Sequence, residues 1–247
     1  MHIAVAGGTG LIGRMVVDAV RASGDTPIVL ARSTGVDLMT GNGLAAALVN
    51  ADVVIDVTNL ETPSRKKAVH FFDTATRSLH KAETELGITH HIVLSIVGAS
   101  GINWGYYDGK RRQEELALAG PVPATVLRAT QFHEFASQMI GRGGPVVLVP
   151  KMRSQPIAAR EVAVALVDAA REQPAGLAPE LAGPEEQYLP DMVRRLLRSR
   201  HSRRPTLSVR LPGAAGKAMA GGGLLPTGDG PRGTQTFEQW LGADKAE

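Results

Sequence analysis

The sequence predicts an α/β fold in which helices cover both faces of a doubly wound parallel sheet. Short apolar runs of strand length alternate with longer amphipathic runs, a pattern typical of parallel sheets built from strand–helix repeats. The first apolar run ends in regularly spaced glycines, and an amphipathic run follows at once. Hydrophobic residues make up 43% of the 247-residue chain and charged residues 21%, so the chain can bury a core of the required size.

The glycine-rich stretch lies between a predicted buried strand at residues 3–6 and a predicted helix at residues 11–22. Its first glycine permits a tight turn, its second lets the backbone approach a phosphate, and its third lets the helix pack against the strand. The free N–H groups and dipole at the helix start favour an anion there. A glycine triplet also serves in plain turns, but this context indicates a dinucleotide site formed by Gly7, Thr9, Gly10, Leu11, Ile12 and Gly13.

The residues after the second predicted strand, 27–31, bear on which dinucleotide is bound. A site selective for NAD usually carries Asp or Glu there to hold the ribose 2′-hydroxyl. This chain has Arg32 and Ser33 instead, and Arg14 follows the third glycine. Guanidinium groups bind a 2′-phosphate that a carboxylate would repel, although both arginines could be ordinary surface charge. The pattern favours NADP(H) over NAD(H).

The stretch Gly-Gly-Thr-Gly-Leu-Ile-Gly resembles the N-terminal signature of the atypical short-chain dehydrogenase/reductases, especially their NmrA-like, NAD(P)H-binding branch. The resemblance covers nearly the whole chain and is thin after Pro205. It implies a Rossmann-type NAD(P)-binding domain over residues 1–171. Residues 172–247 would form a C-terminal substrate-capping region within the same compact unit.

The resemblance also assigns roles to residues near the first two strands. It implies that Arg14 and Arg32 contact the 2′-phosphate and that Asp37 and Leu38 lie near the adenine ring. The alternative for Asp37 is a turn aspartate, in a loop over residues 34–42 with a vestigial strand at 36–38.

The next elements are a short helix at residues 44–49, a buried strand at 51–57, a helix at 63–86 ended by Gly87, and a strand at 90–95. Ligands of open parallel sheets bind beyond the carboxyl ends of the strands. Thr58 and Asn59, which follow the strand at 51–57, should therefore lie near the nicotinamide half of the cofactor.

Tyr106 and Lys110 are four residues apart in a predicted helix, so their side chains share one face. Tyr-x-x-x-Lys resembles the catalytic pair of short-chain dehydrogenases, in which an ammonium group lowers the pKa of the tyrosine that exchanges a proton with the substrate. The resemblance also implies that Lys110 binds the cofactor by holding the nicotinamide ribose. Ser95 is the candidate third member, and Tyr107 competes with Tyr106. Gly109 inside the first turn weakens the helix by about 1 kcal/mol.

The C-terminal half gives weaker signals. We predict strands at residues 123–128, 146–149 and 177–183 and helices at 160–171, 187–198 and 236–241. Residues 209–225 could be a mobile lid over the substrate or a poorly ordered tail.

Composition excludes several other classes of function. The chain has 0 cysteines, and Ser137 stands where a zinc-protease motif beginning at His133 requires a second histidine, so no metal site is predicted. The arginines between residues 194 and 204 lack interleaved aromatics, which argues against nucleic acid. No apolar run approaches ~20 residues and no leader precedes the first strand, so we expect a cytoplasmic protein that does not bind membranes. A monomer and a homodimer both stay open.

The function implied by the resemblance is an NADP(H)-dependent oxidoreductase that transfers hydride to or from a small carbonyl, quinone or related apolar substrate. The alternative is a non-catalytic NADP(H)-sensing regulatory protein of the NmrA-like type. A third option is a sugar-nucleotide epimerase or dehydratase, for which the chain looks short.

Overall fold

The computed structural model describes residues 1–141 and 143–244. Its strands are β1 (His2–Ala6), β2 (Thr26–Leu30), β3 (Val53–Asp56), β4 (His90–Ile96), β5 (Ala124–Ala129), β6 (Val147–Pro150), β7 (Arg153–Ser154), β8 (Gly176–Leu177), β9 (Gln187–Tyr188) and β10 (Thr206–Val209). Its helices are α1 (Leu11–Ala22), α2 (Leu44–Leu48), α3 (Arg65–Leu86), α4 (Gly105–Leu118), α5 (Phe135–Gly141), α6 (Ala159–Arg171), α7 (Leu189–Ser199), α8 (Gly213–Ala220) and α9 (Phe237–Asp244).

The main sheet confirms the predicted α/β fold class. It is a six-stranded parallel sheet in the order β2-β1-β3-β4-β5-β8. Strand β1 pairs with β2 along one edge and with β3 along the other. The topological switch point therefore lies between β1 and β3, which is where ligands of open α/β sheets bind.

Local sequence signals fix the ends of the helices that flank the site. Helix α1 covers the predicted residues, and its buried positions recur at helical spacing at Ile12, Val16 and Val20. Helix α3 begins after Ser64, whose hydroxyl accepts a hydrogen bond from a first-turn amide, and ends at Gly87 in the left-handed conformation with φ of 71°.

Several predicted elements differ from the observed ones. The predicted strand at 177–183 is reduced to β8, because only Thr125 and Val126 of β5 pair with it in regular register. The vestigial strand at 36–38 is a turn closed by an Asp37–Asn42 bridge. The predicted helix at 187–198 begins two residues later, after β9. Part of the segment 209–225 forms α8.

The chain divides into two compact units, each discontinuous in sequence. The first comprises Met1–Ser95, Trp104–Arg128 and Arg160–Ala178 and holds most of the main sheet. The second comprises Ile96–Asn103, Ala129–Ala159 and Pro179–Glu247 and contains two small two-stranded sheets, β10-β6 and β7-β9. This division differs from the boundary at residue 171 in the sequence analysis, because long-range pairs such as β6 with β10 bring residues 147–150 together with 206–209.

Among the described residues, no helix is both long enough and apolar enough to cross a bilayer.

Candidate functional site

The turn after β1 is closely packed around its first and third glycines. Gly7 has φ of +80°, and a Cβ there would lie 3.1 Å from the Cα of Thr58 and from the carbonyl of Val57. A Cβ on Gly13 would lie 2.1 Å from the carbonyl oxygen of Gly7. Only glycine fits these two positions, because the neighbouring atoms are backbone and cannot rotate away.

Gly10 differs from the other two glycines. A Cβ on Gly10 would have one neighbour within 4 Å, the Gly7 carbonyl oxygen at 3.3 Å, and otherwise open space. Packing therefore does not require glycine here, whereas close approach of a ligand to the backbone would. Gly10 is also the residue that precedes α1, so this open space adjoins the helix N-terminus.

The N-terminus of α1 carries no side-chain cap and no acidic residue in its first turn. The first intrahelical hydrogen bond runs from the amide of Arg14 to the carbonyl of Gly10. The amides of Leu11, Ile12 and Gly13 precede that bond and have no acceptor within the helix. Such amides, together with the helix dipole, form a ready anion site.

Arg14, in the first turn of α1, and Arg32 and Ser33, shortly after β2, are all exposed. Arg14 donates to the carbonyl of Thr9, itself exposed in the glycine turn, at 2.8 Å. Arg32 begins a short 3-10 turn after β2, and no carboxylate pairs with it in the residues that the structure describes. Both guanidinium groups are therefore exposed, one at the start of α1 and the other just after β2.

Asp37 and Leu38 both have contacts within the chain, and their position near an adenine ring stays a prediction. The Asp37 carboxylate accepts the amide of Met39 at 2.8 Å, which is the turn interpretation that the sequence left open. Leu38 packs against the core cluster that includes Val36 and Leu44.

Thr58 and Asn59 follow β3, as predicted. The amide of Thr58 donates to the Asp56 carboxylate at 2.8 Å. The Thr58 hydroxyl is buried and has no hydrogen-bond partner among the described residues, whereas Asn59 is exposed. A buried hydroxyl without a partner beside Gly7 is a polar atom that a ligand could satisfy.

Tyr106 and Lys110 share one face of α4, and both pack on the ring of Phe72 in α3. The Tyr106 ring centroid lies 6.3 Å from that of Phe72, and the Lys110 ammonium lies 4.7 Å from the same centroid. Tyr106 is half-buried, whereas Lys110 is only 3% exposed.

A buried hydrogen-bonded chain fixes Lys110. Its ammonium donates to the carbonyl of Leu94 at 2.7 Å and to the side-chain oxygen of Gln113 at 2.6 Å. The Gln113 amide in turn donates to the second oxygen of the Asp56 carboxylate at 2.7 Å. Burial lowers the pKa of Lys110 to about 8, although Asp56 and Glu114 partly oppose this shift. The sequence analysis did not identify Gln113 and Asp56 as partners of Lys110. The available signals were a glutamine one helical turn after Lys110 and a carboxylate at the end of a buried strand.

The structure does not support a lowered pKa for Tyr106. Burial raises the pKa of its hydroxyl, and the charges of Tyr107 and Glu61 act in the same direction. Lys110 is not among the causes of this shift, and removal of the hydroxyl from water disfavours the phenolate. The lowering of this pKa with a bound nicotinamide stays a prediction.

Ser95, the candidate third catalytic residue, is buried at the end of β4 and already has a partner. Its hydroxyl donates to the Glu114 carboxylate at 2.5 Å. Arg128 donates to both oxygens of that carboxylate, at 2.9 and 2.6 Å. Ser95 and Lys110 thus have different side-chain partners, Glu114 for the serine and Gln113 for the lysine.

No protein-family model matches this chain, and no curated protein matches it in sequence. Solved structures share its fold. MoeE5 in complex with UDP-glucuronic acid and NAD is 17% identical, with a TM-score of 0.75 and 100% of both chains covered. A short-chain dehydrogenase/reductase superfamily protein from Agrobacterium tumefaciens with bound NAD is 16% identical, with a TM-score of 0.73, covering 100% of this chain and 96% of that one. UDP-N-acetylglucosamine 4-epimerase from Bacillus cereus is 16% identical, with a TM-score of 0.72 and the same coverage.

Identity at this level shows a shared fold alone. The comparison confirms the Rossmann-like parallel sheet, whereas membership of the short-chain dehydrogenase/reductases and of their NmrA-like branch stays a prediction.

Proposed function

We propose that this chain binds NADP(H) at the β1–α1 turn and is an NADP(H)-dependent oxidoreductase acting on a small carbonyl, quinone or related apolar substrate. The observation that carries the proposal is the uncapped N-terminus of α1, which begins at a glycine turn beside the switch point of the sheet. Fold likeness to structures with bound NAD supports a pyridine dinucleotide as the class of ligand.

The residues around the β1–α1 turn fit the pyrophosphate of a pyridine dinucleotide. Gly13 and Gly7 let the turn close, and Gly10 leaves open space beside three amides that have no helical acceptor. The orphaned hydroxyl of Thr58 lies beside Gly7 and could donate to the ligand. These features support a pyrophosphate at the helix start.

Two exposed guanidinium groups support the phosphorylated form of the cofactor. Arg14 and Arg32 follow neighbouring strands, and the nearby carboxylate of Asp37 is engaged with the backbone of its own turn. Their positive charge favours binding of a negatively charged 2′-phosphate. A bidentate contact from a guanidinium group would strengthen the preference for NADP(H) over NAD(H).

The chemistry proposed for the site is proton transfer coupled to hydride transfer. A bound nicotinamide would supply or accept the hydride. Tyr106, whose pKa is raised by burial, keeps its proton at neutral pH and can donate it to a substrate oxygen. That direction corresponds to reduction of a carbonyl. Lys110 would hold the helix face that carries Tyr106 through its bonds to β4 and Gln113.

Binding tests the proposal first. We expect Gly10→Ala to weaken NADPH binding at least ~10-fold, because the added methyl group occupies the space where a phosphate would approach the backbone. The control is Gly228→Ala, whose Cβ would also enter open space without a positive φ. Calorimetric titration with NADPH and NADH measures the cofactor affinity of each variant. Thermal scans should show that both variants melt at temperatures close to that of the wild type. Equal NADPH affinity in the two variants, or no affinity of the wild type, would contradict the proposal.

Arg32→Glu tests the cofactor preference. Reversing this charge should weaken NADPH binding on the order of 10- to 100-fold and leave NADH binding unchanged, since charge-assisted hydrogen bonds contribute about 1.5–3 kcal/mol. Lys66→Glu, an exposed charge reversal on α3, is the control. If both cofactors weaken equally, Arg32 does not read the 2′-phosphate.

Tyr106→Phe tests catalysis. With a panel of carbonyls and quinones, NADPH turnover should fall at least ~100-fold while NADPH binding survives, because only the transferable proton is removed. Tyr107→Phe is the matched control. A greater loss in Tyr107→Phe would move the proton-transfer role to that neighbour.

The second candidate is a non-catalytic NADP(H) sensor. The specific observation in its favour is the Ser95 hydroxyl, which donates to the Glu114 carboxylate that Arg128 holds. The sensor interpretation predicts NADPH binding without turnover of any member of the panel, and a conformational change on binding that limited proteolysis can detect.

The third candidate is epimerase or dehydratase chemistry on a sugar nucleotide, the kind of reaction named for several of the fold neighbours. Incubation with UDP-glucose and NAD, followed by chromatography of the sugar products, separates it from the first two. The substrate-capping role of residues 172–247 and the choice between monomer and homodimer stay predictions.

A further inference from the structure

A buried cluster of metal-ligating side chains lies in the first unit, on the α3–β4 connection. His80 and Glu83 are one helical turn apart on α3, so their side chains share a face, and His91 lies in β4. All three are buried, with 7%, 0% and 0% of their surface exposed. One potential donor atom from each lies within 4.8 Å of the others.

The cluster contains polar atoms that the protein leaves unsatisfied. His80 Nε2, Glu83 Oε2 and His91 Nε2 are buried and have no hydrogen-bond partner within the described part of the chain. The Thr76 hydroxyl, one turn earlier on α3, is in the same condition. Each such atom ordinarily costs about 1–3 kcal/mol, so several in one place point to an additional occupant that satisfies them.

We propose that His80, Glu83 and His91 form a binding site for a zinc-class divalent metal ion. Two imidazoles and one carboxylate are a donor set that Zn²⁺ and its neighbours accept, whereas Mg²⁺ and Ca²⁺ prefer oxygen alone. An ion held at about 2.1 Å from each donor requires donors roughly 3.4 Å apart. Donor atoms that lie within 4.8 Å of one another are close to this separation.

One hydrogen bond already joins two of the three groups. His91 Nδ1 and Glu83 Oε1 are 2.6 Å apart, and the other polar atom of each side chain has no partner among the described residues. These two atoms, with His80 Nε2, are the candidate ligand atoms, and a carboxylate on the second ring nitrogen is the usual way in which a ligating imidazole is oriented.

The role of the site is structural. Its donors are closed off from water, whereas a catalytic metal keeps an open position. An ion here would join the last turns of α3 to β4 across the turn at Gly87, with the Thr76 hydroxyl, one turn before His80, as the candidate fourth ligand. The site therefore differs from the nucleotide site both in place and in chemistry.

Metal addition to the chelator-stripped, untagged chain tests the proposal. We expect one Zn²⁺ to bind per chain, and an excess of about 100-fold over Kd to raise the melting temperature by about 5–10 °C. Co²⁺ should give the intense visible absorption of a four-coordinate site. Absence of both the thermal shift and this absorption would overturn the proposal, and a buried water in the cluster would give that result.

Two ligand variants and one control locate the ion. His80→Leu and Glu83→Gln should each lose at least ~100-fold in Zn²⁺ affinity, since even second-shell losses cost 10- to 100-fold. His80→Leu should fold without metal, because it removes a buried nitrogen that has no partner among the described residues. His70→Gln, exposed on the same helix, should bind as the wild type does. Equal thermal shifts in His80→Leu and the wild type would assign the ion to surface histidines and refute the site.

Discussion

Lys110→Met should abolish the part of the rise in folding stability above pH 8 that comes from titration of this lysine. Lys110 is 3% exposed, and burial lowers the pKa of its ammonium from 10.5 to about 8. Between those values the unfolded chain binds the proton and the folded chain does not. Unfolding then takes up a proton, so a rise in pH favours the folded state.

The magnitude follows from the two pKa values. A shift from 10.5 to about 8 corresponds to roughly 3 kcal/mol of stability that is missing below pH 8 and regained by pH 10.5. Between pH 7 and pH 9.5 the wild type should gain about 2 kcal/mol from this group. Methionine is unbranched and one atom shorter than lysine, so it keeps most of the apolar stem but cannot titrate, and the variant should lack this gain.

Urea unfolding at pH 7.0, 8.0, 9.0 and 9.5 measures the effect. The readout is the difference between the two proteins in the pH dependence of the unfolding free energy, because other titrating groups cancel. Absolute stability at pH 7 is less informative, since Lys110→Met also removes bonds to Leu94 and Gln113. Lys66→Met, an exposed lysine on α3, should keep the wild-type dependence.

Parallel pH profiles for Lys110→Met and the wild type would refute the reasoning. They would mean that the ammonium is solvated in solution or that the folded chain retains the proton throughout. A gain of stability with pH that persists in the variant would assign the titration to another group.

Three further perturbations test local features. Gly13→Ala should lower the unfolding free energy by about 3 kcal/mol in urea titrations, because the added Cβ would lie 2.1 Å from the Gly7 carbonyl oxygen; an unchanged value would contradict that contact. Arg128→Met should cost about 3 kcal/mol in the same assay, since it leaves the buried Glu114 carboxylate without its cation; a loss below about 1 kcal/mol would show that water replaces the guanidinium. Ser64→Ala should cost about 1 kcal/mol in thermal scans through loss of the α3 cap, whereas Ser64→Asp should retain it.

The sequence predicts the elements whose signals are local. The glycines around Gly10 and the apolar spacing after Leu11 predict α1 over the observed residues, because helix periodicity and caps act within a few turns. Gly87 predicts the end of α3 for the same reason, since its left-handed φ requires no distant contact.

The predictions fail where a partner comes from far along the chain. Residues 177–183 are apolar enough for a strand, but pairing with β5 holds only Gly176–Leu177 in regular register. The polar residues of the site show the same limit. Gln113 donates a hydrogen bond to Asp56, 57 residues earlier in the chain, and Glu114 accepts one from Ser95, 19 residues earlier. Hydrophobic periodicity in the sequence does not predict such long-range pairs.

The sequence by itself determined the parallel α/β sheet, the glycine turn that opens a helix toward an anion, and the common helix face of Tyr106 and Lys110. Tertiary structure alone decided what the buried polar atoms do: Ser95 donates to Glu114, Lys110 joins Leu94 to Gln113, and His80, Glu83 and His91 meet in the core. The physical reason is that helix and strand patterns arise from neighbours in the chain. Hydrogen-bond partners and pKa values arise from groups that come together only when the sheet and its helices pack.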